Sequence, residues 1–395
     1  MYRFFASDRK LTFSYLVAAL VVSLQSLAQG FNRQGYTAYE NYVIFKNSFV
    51  HLLHGQNPYA SYPAEQCDLF KYSPTFALLM APFAALPDWL GLQVWNLANA
   101  LPLLWAILRL PGLDTRQRRF LGWFVLPELV ISMQNSQSNG LTAALLLWAW
   151  VALESQGPKV SAFYAAFGGF LKIFGIFAAA PALVYPQRGK FFFGLAAWAA
   201  LLLVLPLLAV GPEQLVQVYR WWFELLQADH GASLGLSVIG WLESWWAWAP
   251  PKTAVLGLGL GLLGLSIAVA GWRAAAVSGL LPAQQRQLLW ASVLLWVVIF
   301  NHKAESPTFV IALCGVGLWY LSTARPAVWK KILLWTAFLL ASVSPTDIFP
   351  RQLREQIVQP YVLKAVPCII IWIILTLELF FRPKAPQQVP TSDEQ

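Results

Sequence analysis

Polar residues gather in a few places in an otherwise apolar chain of 395 residues. Tyr39-Glu40-Asn41-Tyr42 and the stretch Glu65–Tyr72 supply carboxylates, Asp68 among them. Gln134-Asn135-Ser136-Gln137-Ser138-Asn139 is a run of amides and hydroxyls. Asn301-His302-Lys303-Ala304-Glu305-Ser306-Pro307 concentrates a His, a Lys and a Glu, more than helix capping requires. Ser344-Pro345-Thr346-Asp347 is followed by Arg351 and Arg354. Lys172 stands alone at a break in an apolar stretch. A lysine between two short apolar helices suits an anionic phosphate, but it also has the reach to snorkel to an interface. Amides and serines between helices cap free N–H and C=O groups as readily as they bind a ligand.

The remaining titratable residues say less. His51 and His54, three apart, share a helical face, but two ligands without a carboxylate at fitting spacing do not make a metal site. Glu128 and Glu378 fall within or at the ends of apolar runs, where pairing with neighbours accounts for them. No Walker loop, dinucleotide fingerprint, HExxH or GxSxG is present. Any catalysis must therefore be assembled from separate loops.

The elements that carry those loops are set by composition. Hydrophobic residues make up 58% of the chain and charged ones 11%, with a mean hydropathy of +0.56. A soluble domain carries roughly 25% charge, so a water-soluble body of this size is excluded. Coiled-coil, disordered, collagen-like and disulfide-scaffold classes fall with the same numbers. Cys67, Cys314 and Cys368 are odd in number and far apart, which gives neither a disulfide framework nor a metal spacing. The 20 Trp and 26 Phe suit interfacial belts. The net charge of +9 does not point to nucleic acid, because the basic residues sit between apolar runs as in cytoplasmic loops. Leu11–Gln29 follows a basic terminus without a convincing cleavage site and reads as an anchor.

The fold class is all-α, a polytopic transmembrane bundle. Spans are expected at 11–29, 90–110, 119–133, 137–153, 190–210, 252–272, 287–300, 306–322, 331–344 and 362–381. The stretch 161–185, interrupted by Gly168, Gly169, Lys172 and Gly175, reads as two short helices meeting near Lys172, for twelve spans in all. Most of the 27 basic residues, Arg109, Arg116, Arg118 and Arg119 among them, fall on one side of this layout. Most of the 18 acidic residues fall on the other. The rule that basic loops stay inside makes both termini cytoplasmic and puts every polar cluster on the outer face. That rule also demotes 73–86, with Pro74 and Pro82, from a span to a helix lying at the outer interface. Residues 1–384 then form one domain, with outer loops at 30–89 and 211–251, the latter carrying Trp221, Trp222, Trp241, Trp245, Trp246 and Trp248. Residues 385–395 read as a disordered cytoplasmic tail.

Between Asn41 and Asn96 the pattern resembles glycosyltransferase family 87. The residues are Asn41-Tyr42-Val43-Ile44-Phe45, then His54-Gly55-Gln56-Asn57-Pro58-Tyr59, Lys71-Tyr72-Ser73-Pro74-Thr75-Phe76, Leu86-Pro87 and Trp95-Asn96. Ser136-Gln137-Ser138-Asn139 is similar to the family's G-Q-x-N turn, and Phe170-Leu171-Lys172 to its lysine-bearing hairpin. The pairing of Gly-x-Asn-Pro-Tyr with Tyr-x-Pro is the most specific part.

The resemblance implies the type C membrane glycosyltransferase fold, with interfacial helices in the first outer loop. It implies hexose transfer, mannose in the family's known type, from a polyprenyl-phosphate sugar to a glycan or glycolipid acceptor at the outer face of a bacterial inner membrane. An acid on the first outer loop serves the family as general base. Here that position is Asn41, an amide, so the carboxylate comes from adjacent Glu40 or from Asp68, Glu305 or Asp347, or sugar transfer is lost. Lys172, with His302, Lys303 or Arg351, is the expected phosphate site. Tyr42, Asn57, Tyr59, Tyr72, Gln137, Asn139, Glu305 and Asp347 are the expected substrate contacts. A leaving phosphate already carries charge, so neither metal nor cofactor is required. The alternative from another class is a lipid or lipid-linked-sugar flippase without covalent chemistry. Such a transporter would place polar groups nearer the bilayer midplane and show internal repeats. A passive scaffold would not need the ordered loop motifs.

Overall fold

The computed structural model describes residues 7–32, 34–228, 234–276 and 279–381. The expected tail 385–395 and part of the expected outer loop 211–251, residues 229–233, lie outside the described residues. Those described are helical, apart from turns and one isolated antiparallel bridge between Phe31 and Thr37.

The chain opens with α1 (Asp8–Gln29), α2 (Glu40–Leu53), α3 (Pro74–Leu79) and α4 (Asp88–Leu108). It continues through α5 (Thr115–Gln134), α6 (Asn139–Ser155) and α7 (Pro158–Leu171) into two 3-10 turns, Ile173–Ala179 and Pro181–Val184. Then come α8 (Arg188–Val204), α9 (Pro212–Ala228), α10 (Val238–Trp246) and α11 (Lys252–Ala275). The last are α12 (Ala283–Ile299), α13 (Phe309–Leu321), α14 (Val328–Phe338) and α15 (Val366–Phe381). Local chemistry sets several starts. Asp114 accepts from the Gln117 amide at 2.8 Å while the Gln117 side chain accepts from the Asp114 amide, a reciprocal cap that begins α5. Ser73 caps α3 through the Phe76 amide, with Pro74 in the first turn, where a missing N–H costs nothing.

Among the described residues, four helices are long and apolar enough to cross a bilayer alone, against the twelve spans expected: α1, α4, α8 with its 3-10 extension to Leu208, and α11. Helices of this kind make the chain an integral membrane protein. Shorter apolar helices, including Ser306–Leu321 and Val366–Phe381, accompany them. The reason for the shortness is visible in α12, where every residue from Gln287 to Ile299 is buried. A helix walled by protein need not match the thickness of lipid. Trp150, Trp290, Trp296 and Trp319 fill this centre completely.

Segment 73–86 is not a span: α3 and the single turn Ala81–Ala84 are too short. They pack with α2 into a second apolar cluster, around Phe45, Phe70, Phe76 and Trp95, distinct from the main bundle. α2 approaches α4 so closely that a Cβ on Gly91 would fall 1.9 Å from the Tyr42 hydroxyl. The described residues of 211–251 form the amphipathic α9 and α10, with Phe223, Trp245 and Trp246 exposed on them and Trp248 exposed just beyond. Arg119 pairs with Asp8, Arg286 with Glu154, Lys330 with Glu378 and Lys46 with Asp88.

Candidate active site

The site begins with a chain reversal. α7 ends at Leu171, and Lys172 adopts an extended backbone (φ −149°, ψ 123°) before the 3-10 turn starts at Ile173. The Lys172 amide donates to Gly168 O at 2.8 Å and its carbonyl accepts from Gly175 at 2.7 Å, which closes the reversal. Only glycine fits: a Cβ on Gly175 would lie 2.1 Å from the carbonyl carbon of Gly168. The break expected near Lys172 is therefore real, and it presents the ammonium group away from the helix axis.

The turn between α5 and α6 meets that lysine. Ser136 sits in the left-handed region (φ 50°), its carbonyl held by Trp95 Nε1 at 2.8 Å. Asn99 Oδ1 accepts from the Leu141 amide at 3.0 Å and fixes the start of α6. Lys172 Nζ donates to Asn139 Oδ1 at 2.7 Å, and Asn139 Nδ2 donates to Gln137 Oε1 at 2.5 Å. Gln137 Nε2 then donates to Glu305 Oε2 at 2.5 Å. Each amide accepts on one side and donates on the other, so the chain is polarised from a cation to a carboxylate, with each bond strengthening the next. The Glu305 turn is held in place by Thr308, whose hydroxyl accepts from the Glu305 amide at 3.3 Å, and by the Leu236 amide, which donates to Ala304 O at 2.8 Å.

These elements enclose a cavity of about 730 Å³, a size usual for small-molecule and cofactor sites. Its polar lining includes Asn41, Asp68, Lys71, Tyr72, Gln137, Lys172, Asn301, His302, Lys303 and Glu305, and its apolar lining Phe170, Ile173, Phe174, Trp222, Leu226, Leu256 and Phe300. Lys172 Nζ stands 5.9 Å from the centre of the Tyr72 ring, within cation–π range. The Tyr72 hydroxyl accepts from Ser138 at 3.2 Å. Asp68 pairs with Lys71 at 3.1 Å while its other oxygen accepts from the Leu69 amide at 2.7 Å. Ser73 donates to Phe170 O and Trp222 Nε1 to Lys71 O, so the first loop is tied to the lysine hairpin and to α9.

Several expected site residues lie elsewhere. Glu40 does not line the cavity: its Oε1 accepts from the Cys67 amide at 2.7 Å and its Oε2 from Thr37 at 3.5 Å. Its neighbour Asn41 takes the cavity-facing direction, as a rotation of about 100° per helical residue dictates. Tyr42 is buried against α4, its hydroxyl donating to Phe83 O at 3.3 Å. Asn57 Oδ1 accepts from the Tyr59 amide, and Tyr59 donates to Tyr72 O at 3.0 Å. Both shape the loop behind the cavity. Burial holds the Tyr59 phenol well above its ordinary value, which keeps it a neutral donor. Asn139 is fully buried and braces Lys172 and Gln137 from behind. Arg351 is exposed and paired with Glu355 at 2.7 Å, and Asp347 stands on the surface near Arg354. His51 bonds Glu65 at 3.0 Å and stacks on Tyr62, while His54 bonds Val50 O.

The sequence reading overlooked Lys71, Asn301 and Trp222 as site residues, although each lay inside a run that it singled out. A deeper omission is Lys364, which stands in the turn just before α15. Its ammonium group pairs with Glu128 at 2.8 Å behind the Glu305 turn.

The sequence model described as glycosyltransferase family 87 matches residues 70–307. That stretch contains Tyr72, Gln137, Asn139, Lys172, His302, Lys303 and Glu305, and begins after Glu40, Asn41 and Asp68. No curated protein matches the chain.

Proposed function

The chain belongs to glycosyltransferase family 87 and is a membrane glycosyltransferase, and on that premise we propose that it transfers a hexose, mannose in the first instance, from a polyprenyl-phosphate sugar to a hydroxyl of a glycan or glycolipid. The reaction takes place at the outer face of a bacterial inner membrane, with both termini in the cytoplasm. One observation carries this reading. A polarised hydrogen-bond chain from Lys172 through buried Asn139 and Gln137 to Glu305 links three residues that line one cavity, and that cavity is also lined by apolar side chains. A sugar joined to a lipid by a phosphate needs a cation, a carboxylate and an apolar surface together.

The acceptor oxygen attacks the anomeric carbon as the bond from that carbon to the phosphate oxygen breaks, with inversion. The electron pair leaves on the phosphate, and the hydroxyl proton passes to a carboxylate within hydrogen-bond reach. Asp68 serves as that base, being the first-loop carboxylate on the cavity lining. Lys71 pairs with it at 3.1 Å and holds it in place. Lys172 steadies the phosphate as charge grows on it, helped by the partial positive charge at the start of α6, where Asn139 holds the lysine. His302 and Lys303 add to the positive wall, while Tyr72, Gln137 and Glu305 contact the sugar. Phe170, Ile173, Phe174 and Leu256 receive the first isoprene units.

The test is purified protein in lipid, given a panel of labelled polyprenyl-phosphate sugars and scored for free polyprenyl phosphate together with labelled acceptor. Release dependent on acceptor supports the reading. Translocation of an intact donor without release would replace it with the flippase.

A further inference from the structure

Glu128 lies within α5, fully buried, and Lys364, buried too, stands just before α15. The Lys364 ammonium group is 2.8 Å from Glu128 Oε1 and 2.7 Å from the Ser306 hydroxyl, and 5.1 Å from the centre of the Phe309 ring. Neither charged residue lines the cavity. Burying two charges is costly unless their remaining bonds are made, and a neutral pair of similar volume often folds as well. Stability alone therefore does not call for this pair. Its third partner is more informative. Ser306 follows Glu305 directly, and Glu305 terminates the chain that holds Gln137, Asn139 and Lys172.

We infer that Glu128 and Lys364 are positioning residues: through Ser306 they clamp the 301–308 turn so that Glu305 keeps its bond to Gln137 and, through it, the register of Lys172. This rests on the proposed transfer only for its kinetic readout. Lys364 donates to the Ser306 oxygen, and the Thr308 hydroxyl holds the Glu305 amide from the other side. The turn is thus pinned on both flanks of the one carboxylate that it presents. Residue 364 lies beyond the stretch matched to the family, so the clamp joins the last loop of the chain to the site.

The experiment uses full-length protein in lipid discs and compares wild type, Glu128→Gln/Lys364→Met, Ser306→Ala and their combination. The double variant keeps volume and removes both charges, so its melting temperature stays close to that of wild type. Its kcat falls about tenfold or more with donor KM changed less than about twofold, since geometry and not ground-state binding is lost. Ser306→Ala falls in the same direction, and combining it with the double variant adds little, because the two act through one contact. Lys364→Arg, which keeps the charge, recovers part of the rate.

A second readout needs no turnover. In a Cys67→Ser background carrying His302→Cys, maleimide labels the turn at a rate that changes about fivefold or more on adding Glu128→Gln/Lys364→Met, as expected when a turn loses a pinning contact. Unchanged labelling overturns the clamp, as does full kcat in a stable double variant. Absence of transfer by wild type with a changed labelling rate overturns the functional reading and leaves the clamp standing.

Discussion

Asn41 Nδ2 donates to the main-chain carbonyl of Asn135 at 2.8 Å, joining the first turn of α2 to the turn that carries Gln137. The bond requires a donor at residue 41. A carboxylate there would set two oxygens against each other, so the amide suits this frame and the base must come from another position.

Asn41→Asp is therefore expected to remove stability and to add no transfer activity. The new carboxyl would be favoured in its protonated form, which alone can donate to Asn135 O, so its folded pKa rises above its unfolded value. The penalty, about 1–3 kcal/mol for a hydrogen bond lost with its acceptor left unpaired, is present at neutral pH and disappears below about pH 4. Thermal melting of both proteins at pH 4 and pH 7 checks it. A penalty of equal size at both values would show that the bond does not matter.

Glu40 and Asp68 separate by direction. Asp68→Asn is expected to lower kcat by about 100-fold or more, the usual contribution of a positioned base. Glu40→Gln, which retains an acceptor for the Cys67 amide, is expected to change kcat by less than about fivefold. Initial rates at saturating donor decide. The reverse order would return the base to Glu40.

Adjacent positions explain where the sequence sufficed and where it did not. The reversal at Lys172 was legible because Gly168, Gly169 and Gly175 interrupt an apolar run and nothing distant is needed to see it. The expectation that 73–86 does not span came from counting charges in loops on either side, and its helices are indeed short. The direction of Glu40 was not legible, since it depends on an amide 27 residues further along the chain. Lys364 was hidden for the same reason on a larger scale, its carboxylate partner being 236 residues away. Span number was read from apolar runs, but α12 and α13 are apolar because protein surrounds them. A run of that kind carries no information on lipid contact.

The hairpin supplies a backbone test. Gly175→Ala puts a methyl group where the Gly168 carbonyl already lies. Relief requires the two halves of the hairpin to separate and carries Lys172 away from Asn139. The expected result is a loss of roughly 3 kcal/mol or more, in the range of severe overpacking, together with loss of donor binding. Lys172→Ala, by contrast, leaves the hairpin intact and should lower kcat by about 100-fold with a melting temperature near wild type. Differential scanning fluorimetry beside rate measurement distinguishes them, and equal melting losses in the two variants would contradict the geometry.

Cys67 offers a test of both sidedness and local field. It is the exposed cysteine among the described residues, Cys314 and Cys368 being buried. Partial burial, then the charges of Glu40 and Asp68, push its thiol above the ordinary value. Since the thiolate is the form that reacts, a raised value means slow labelling at pH 7.5 and a steep gain towards higher pH. Glu40→Gln removes one of the raising charges, lowers the value, and should speed labelling at pH 7.5 by about threefold. With a membrane-impermeant maleimide applied to spheroplasts, Cys67 is expected to react without permeabilisation if, as proposed, residues 30–89 face outward. Labelling only after the membrane is opened would invert the topology and move the whole cavity, Lys172 and Glu305 included, to the cytoplasmic side.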